Sequence, residues 1–306
     1  MKILVTGGAG FIGSHLVAAL IQRGNEVRVL DNLSSGKHEN LDGLPVELVV
    51  GDIRNWETVR QAVNGCDLVF HQAALVSVPR SLAEPQLNHD VNVNGAFHVF
   101  EAARQAGIKR VVYASSAAVY GDTPSLPASE HDRSNPMTPY AAAKLMNEEM
   151  ATVYNHSYGR EFVGLRYFNV FGPRQDPSSP YSGVLSVFCR ATIANSGVTI
   201  YGDGKQTRDF VYVSDVVVAN LAAADWAMDE THPVFNVGRG EQTDLLQILE
   251  MLRQQSGVAL PVQFTAARAG DIRDSCADVT AVQSHLNYTP HVSIAAGLQK
   301  TLNWFV

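Results

Sequence analysis

The chain is sparing with several residue types. It has 306 residues but only three cysteines, Cys66, Cys189 and Cys276, odd in number and far apart. That excludes a disulfide framework and suits a reduced, cytoplasmic protein. Charged residues make up 17% of the chain, with a net charge of −7 and no basic run, so a nucleic-acid surface is not expected. No apolar stretch is long enough to span a bilayer, and no membrane partner is expected. The apolar start, Met1 to Thr6, runs straight into glycines, which is not the pattern of a secretory leader. HExxH, CxxC and clustered histidines are all missing, so no metal site is expected. There is no internal repeat and no low-complexity linker.

What is present is an ordinary globular composition, 46% hydrophobic, and a strong opening pattern. Met1 to Thr6 reads as a buried strand, Gly7-Gly8-Ala9-Gly10-Phe11-Ile12-Gly13 as a turn, and Ser14 to Gln22 as a helix. A second strand, Glu26 to Leu30, ends in Asp31. Gly7 suits a tight turn, Gly10 a close backbone approach to a pyrophosphate, and Gly13 close packing of helix on strand. The helix N-terminus offers free N–H groups to phosphate, with Phe11 and Ile12 as cofactor-binding residues in the turn before it. Asp31 is placed to accept from the adenosine ribose, and its charge disfavours a 2′-phosphate. The pattern therefore points to NAD.

Further strands are expected at Pro45 to Val50, Asp67 to His71, Arg110 to Ser115 and Glu161 to Tyr167. Helices are expected at Asn55 to Asn64, Pro85 to Gln105 and Pro136 to Tyr158. This alternation implies βαβ units: an α/β fold, a doubly wound parallel sheet of the Rossmann kind, with ligands at the carboxyl ends of the strands. The polar loop from Asn32 through Ser35 and Gly36 to Gly43 lies where the adenosine half belongs. Gln72-Ala73-Ala74 is a strand exit small enough for a cofactor to lie on the backbone. Asn92 is carried by the long helix, and Ser115 and Ser116 close the fifth strand.

After Asn169 the rhythm breaks. Pro173 to Ser182 reads as a loop. Helices are expected at Gly183 to Asn195, from a cap at Ser214 to about Asp229, at Thr243 to Ser256, Val279 to His285 and Ile294 to Trp304. Short strands are expected at Val198 to Tyr201, Phe210 to Val213, Val234 to Val237 and Val262 to Phe264. The expected division is residues 1–168 with about 208–224 for the cofactor, and 169–207 with about 225–306 as a smaller mixed α/β region for the substrate.

The sharpest chemical signal is Tyr140-Ala141-Ala142-Ala143-Lys144 after Thr138-Pro139. Thr138 is an N-cap and Pro139 an N1 residue, so Tyr140 falls in the first turn. Spacing of i, i+4 puts phenol and ammonium on one face. The cation and the helix dipole are expected to lower the phenol's pKa toward neutrality, as a proton acceptor from a substrate hydroxyl requires.

These pieces resemble the extended short-chain dehydrogenase/reductase family, and within it the UDP-hexose 4-epimerases. The resemblance rests on Thr6 to Gly13, Gln72-Ala73-Ala74, Ser115 to Gly121, Pro139 to Lys144 and Arg166 to Gly172, and it covers nearly the whole chain. It implies bound NAD, Tyr140 as base, Lys144 as its partner and Ser116 as third catalytic residue. Asp52 and Ile53 are implied at the adenine and Phe168 at the nicotinamide. On the substrate side it implies Asn169 on the nucleotide-sugar, Val184 and Val187 near its diphosphate, Tyr201 near the uracil, Arg208 and Arg268 as a diphosphate clamp, and Asp271 on the ribose. Related dehydratases carry an acid after the fifth strand where this chain has Ser116-Ala117-Ala118, so elimination lacks its catalyst. Uronate-acting relatives carry Thr at the position of Asn169. Ser275, four residues after Asp271, stands where relatives that reject N-acetylated sugars carry tyrosine, which implies room for an acetamido group. A UDP-glucuronate epimerase and a net-redox nucleotide-sugar enzyme are the alternatives. The family also implies a homodimer through the helices at Pro85 to Gln105 and Pro136 to Tyr158.

Overall fold

The computed structural model describes residues 1–123, 125–176, 183–228, 233–267 and 272–306. Its centre is a seven-stranded sheet of β1 (Lys2–Thr6), β2 (Glu26–Asp31), β3 (Val46–Val50), β4 (Leu68–His71), β5 (Arg110–Ser116), β6 (Glu161–Tyr167) and β7 (Val234–Val237). The order is 3-2-1-4-5-6-7, parallel at every pairing. The winding reverses between β1 and β4, which opens a crevice at their carboxyl ends.

The period of two is visible in where side chains go. Ile3 and Val5 enter one core while Leu4 enters the other. On the first face lie helix α1 (Phe11–Gln22) and the helix Val213–Asp225. On the second lie Trp56–Val63, α2 (Gly95–Gln105) and α3 (Pro139–Tyr158). A third core gathers Phe171, Phe188, Ile200, Phe210, Ile248 and Leu298 from the chain's second half. The strand Val234–Val237 and the helix Thr280–Leu286, which the expected boundaries place in the second region, join the main sheet and its first core.

Several local expectations change. The long helix before β5 runs as Pro85–His89 and α2, joined by a wider π turn at Asp90–Asn94. A short helix, Val78–Ala83, precedes it, capped by Ser77, whose Oγ accepts from Arg80 N at 3.1 Å. Ser214 is not a cap: the helix begins at Val213 after Tyr212, with no side-chain cap. Thr243–Asp244 is a two-residue strand, and Asp244 caps the next helix in a reciprocal box with Gln247. All three cysteines are buried free thiols. Among the described residues no helix is long and apolar enough to cross a membrane.

Candidate active site

The glycine turn sits at the switch point. Gly7 has φ +70°, and a Cβ there would lie 2.7 Å from Ala73 N across the crevice. A Cβ on Gly13 would lie 2.1 Å from Gly7 O, so α1 closes on the turn only because that atom is missing. Gly10 is the N-cap of α1, with no side-chain cap and no acid in the first turn. The amides at the start of α1, around Phe11, Ile12 and Gly13, therefore have no carboxylate competing for them. Asp31 is buried, and its carboxylate accepts from Ala9 N at 3.0 Å and Leu33 N at 2.8 Å. Burial pushes its pKa up and those two amides hold it down.

Around this turn each expected cofactor residue has a definite place. Asn32 donates to Asp52 at 2.8 Å, and Arg54 clasps the same carboxylate at 2.8 and 2.9 Å. That clasp holds Asp52 well below the usual carboxylate range. Ile53 is buried, and its carbonyl accepts from His98 at 2.9 Å. Ser35 is exposed, and Gly36 lies against Asp31. Gln72 turns its side chain away to Asn220 and Tyr167, which leaves its backbone, with Ala73 and Ala74, at the crevice. Asn92 brackets Leu75: its Oδ1 accepts from Leu75 N at 2.8 Å and its Nδ2 donates to Leu75 O at 3.1 Å. Its buried side chain thus shapes the exit of β4. At that exit Thr6 Oγ1 and His71 Nδ1 are 2.7 Å apart, and burial holds His71 neutral, its pKa near 3.

The reactive groups meet at the end of β5. Thr138 Oγ1 accepts from Ala141 N at 3.2 Å and Pro139 occupies N1, so α3 starts as the sequence indicates. Tyr140 is buried, with the Ser116 side chain close enough to its phenol to draw its pKa down. Lys144, also buried, donates from Nζ to Ala114 O at 2.7 Å and lies 5.8 Å from the Tyr140 ring centre. Of the two serines only Ser116 reaches Tyr140. Successive residues of a strand point to opposite faces, and Ser115 Oγ donates to Glu148.

The expected lowering of the phenol pKa is corrected by the structure. Burial pushes Tyr140 up, with only the neighbouring Ser116 side chain opposing. Lys144 is buried too, which takes its own pKa down to about 8, with Glu148 working against the fall. The sequence showed the pairing of the two groups but not their shared desolvation.

A model described as the NAD dependent epimerase/dehydratase family matches residues 3–238. The chain belongs to that family. The UDP-glucose 4-epimerase of Mycolicibacterium smegmatis is 39% identical over 311 residues, covering 100% of this chain and 98% of the relative. The structure of the Thermotoga maritima UDP-glucose 4-epimerase with UDP-glucose is similar at a TM-score of 0.95 and 38% identity, covering 100% of this chain and 98% of that one. The UDP-N-acetylglucosamine 4-epimerase of Methanobrevibacter ruminantium, in complex with UDP-N-acetylmuramic acid, is similar at 0.95 and 38%, covering 99% and 97%. The family's NAD fits the residues present. The turn that Cβ atoms would fill, the acid-free helix start and buried Asp31 form a cradle for a dinucleotide.

Residues of the chain's second half meet the segment that follows β5. Phe168 is buried and, with Ala117, Tyr120, Ile272, Ser275 and Cys276, lines a small cavity. Asn169 is exposed and begins a short strand, Asn169–Phe171, parallel to Phe210–Tyr212. Val184 opens the helix Val184–Ala194, with Val187 exposed one turn on. Tyr201 ends the strand Val198–Tyr201 and is 38% exposed. Arg208 donates to Thr207 O at 2.8 Å and Arg273 O at 3.1 Å. Arg268 and Asp271 lie outside the described residues. Sequence reasoning missed the anchors here. Buried Asp209 accepts from the amides of Arg239, Gly240 and Ala277 at 2.7–3.0 Å. Asp274 accepts from Thr207 Oγ1 at 2.7 Å. Glu148 was missed as well, although Tyr140, Lys144 and Glu148 continue one i, i+4 series.

Proposed function

We propose that the chain is a UDP-hexose 4-epimerase, with Tyr140, Lys144 and Ser116 as its catalytic residues. The observation that carries this reading is the buried cluster at the end of β5, where the Tyr140 phenol, the Ser116 hydroxyl and the Lys144 ammonium lie together beside the glycine turn. NAD, when bound, supplies the hydride acceptor and then the donor. Tyr140 is the group placed to take the O4 proton as C4 is oxidised. Ser116 holds O4 against the phenol. The oxidised sugar would turn about its diphosphate linkage to present its other face, and Tyr140 would return the proton to O4 as C4 is reduced. Residues 116–118 offer no carboxylate to protonate a leaving hydroxyl, which favours epimerisation over elimination.

The second region grips the nucleotide and leaves the sugar free to turn. In this reading Arg208 and Arg268 hold the diphosphate, with Val184 and Val187 beside it. Asp271 holds the ribose, Tyr201 meets the uracil and Asn169 touches the sugar. Ser275 on the cavity wall is small enough to admit an acetamido group. Proton NMR of the purified protein with UDP-GlcNAc and, separately, UDP-Glc, without added cofactor, tests the proposal. Appearance of the C4 epimer supports it, with the N-acetylated sugar turned over at least as fast. No conversion of either sugar, even with added NAD, overturns it. Ser275→Tyr should cut the rate on UDP-GlcNAc about tenfold or more and leave UDP-Glc within a few fold. Equal effects on both sugars would remove Ser275 from the specificity argument.

A further inference from the structure

The loop after Asn169–Phe171 runs to the glycine turn and α1. On one side His15 of α1 donates from Nε2 to Pro173 O at 3.0 Å. On the other Asp176 lies 3.7 Å from Lys37 Nζ, and the Lys37 amide donates to Ala9 O of the glycine turn at 3.0 Å. Pro173 to Asp176 is thus a strap fastened at one end to α1 and at the other to the loop after β2, which is itself bonded to the glycine turn. Arg174 sits in the strap. Its φ is +67°, a left-handed conformation that non-glycine residues seldom hold.

Its guanidinium is not spent on the protein. Nη1 is buried without a hydrogen-bond partner, and among the described residues no acid pairs with the side chain. Its charge is felt at His15 of α1, whose ring bonds the carbonyl of the preceding Pro173. Burial pushes its own pKa down with nothing opposing. Burying a cation without a partner is costly, and the strained backbone adds to that cost. Both features are accounted for when the guanidinium meets an anion that belongs to a ligand. The nearby start of α1 has no side-chain cap and no acid in its first turn, so it too is open to an anion.

We propose that Arg174 is a binding residue for the diphosphate of NAD, and that the Pro173–Asp176 strap roofs the cofactor. The inference rests on the family's cofactor and not on the sugar proposed above. A planar fork of donors over a diphosphate, with the helix start below it, holds the anion from both sides. The strap also gives a physical reason for the cofactor to stay bound through the reaction.

The test counts NAD rather than turnover. Purified protein is diluted, and retained NAD per chain is measured over time after denaturation. Arg174→Gly removes the guanidinium and relaxes the left-handed turn. It should lose NAD about tenfold to a hundredfold faster, with Arg174→Lys between it and the wild type. Two further measurements separate the explanations. The melting temperature of NAD-stripped Arg174→Gly should not fall below that of stripped wild type, because the side chain has no protein partner to lose and the variant sheds the buried charge and the strained turn. UDP affinity, read by calorimetry, should be unchanged. Unaltered NAD loss overturns the proposal. So does a tenfold loss of UDP affinity with NAD retention intact, which would assign the guanidinium to the substrate's diphosphate. A fall in the stripped protein's melting temperature that matches the loss of NAD would make Arg174 structural, and would overturn it too.

Discussion

At the scale of single residues the chemistry rests on desolvation. Tyr140 and Lys144 are buried together, and burial moves their pKa values in opposite directions, the phenol's up and the ammonium's down. Tyr140→Phe keeps the ring and removes the proton acceptor. Turnover should fall by about 10²–10⁴-fold while NAD remains bound. Survival of activity, followed by the same NMR assay, would end the proposed role. Lys144 makes a separate prediction about stability. Its folded pKa, about 8, lies below the unfolded value of 10.5. Between these values the unfolded chain binds the extra proton, so this group's contribution to stability rises with pH. Urea unfolding at pH 7.5 and 9.5, at equal NAD content, should show wild type gaining stability relative to Lys144→Met as pH rises. A difference that stays constant between the two pH values would mean Lys144 titrates normally in the fold. The pairing of Tyr140 with Lys144 was legible because i, i+4 spacing is a local property. The phenol's pKa was not, because burial depends on strands far away in sequence.

At the scale of elements, α3 does more than carry the base. Its inward face also presents Glu148, which accepts from Arg166 of β6 at 2.7 and 3.0 Å and from Ser115 of β5. Arg166 in turn donates to Tyr120 at 2.9 Å and lies 4.8 Å over its ring. Both partners of the ion pair are 6% exposed at the side chain. This network fixes α3 against β5 and β6, the two strands whose register sets Ser116 opposite Tyr140. Glu148→Gln should therefore destabilise by about 3–5 kcal/mol, since it leaves the Arg166 cation buried and uncompensated. Glu148→Leu with Arg166→Met should recover most of that loss. Urea midpoints decide it, and a single-variant cost below about 1 kcal/mol would mean that water reaches the pair. The π turn at Asp90–Asn94 is another device of this scale. Its extra residue lets the Asn92 side chain bracket Leu75. No composition or periodicity marks it, and the sequence shows only an unbroken helix.

At the scale of the whole molecule, the main sheet could be read ahead because each strand carries its own period-two or continuous apolar signal. The pairing of Val234–Val237 with β6 could not, because a short apolar run names no partner. The strap from α1 to the loop after β2 was hidden for the same reason: contacts such as His15 with Pro173 join distant segments. The outer surface raises the remaining question. On α2 and α3, Phe97, Met146 and Val153 are 44%, 48% and 55% exposed. The helices are joined side by side by a Tyr154–Glu101 hydrogen bond of 2.9 Å and by Arg104 over the Tyr158 ring at 4.8 Å. Met146 and Val153 stand seven residues apart, two turns along one face. We propose that a second copy covers this face, its own α2 and α3 completing a four-helix bundle about a two-fold axis. Light scattering should give twice the chain mass for the wild type and the chain mass for Met146→Glu/Val153→Glu. The variant should stay folded, because neither side chain belongs to the cores. A wild type at the mass of one chain, or a double variant still at twice that mass, would place the contact elsewhere or remove it. Because α3 also positions Tyr140, the monomeric variant further tests whether the active site depends on the partner. Its turnover should stay within a few fold of wild type, since Thr138, Ser116 and Ala114 hold the start of α3 from within one chain.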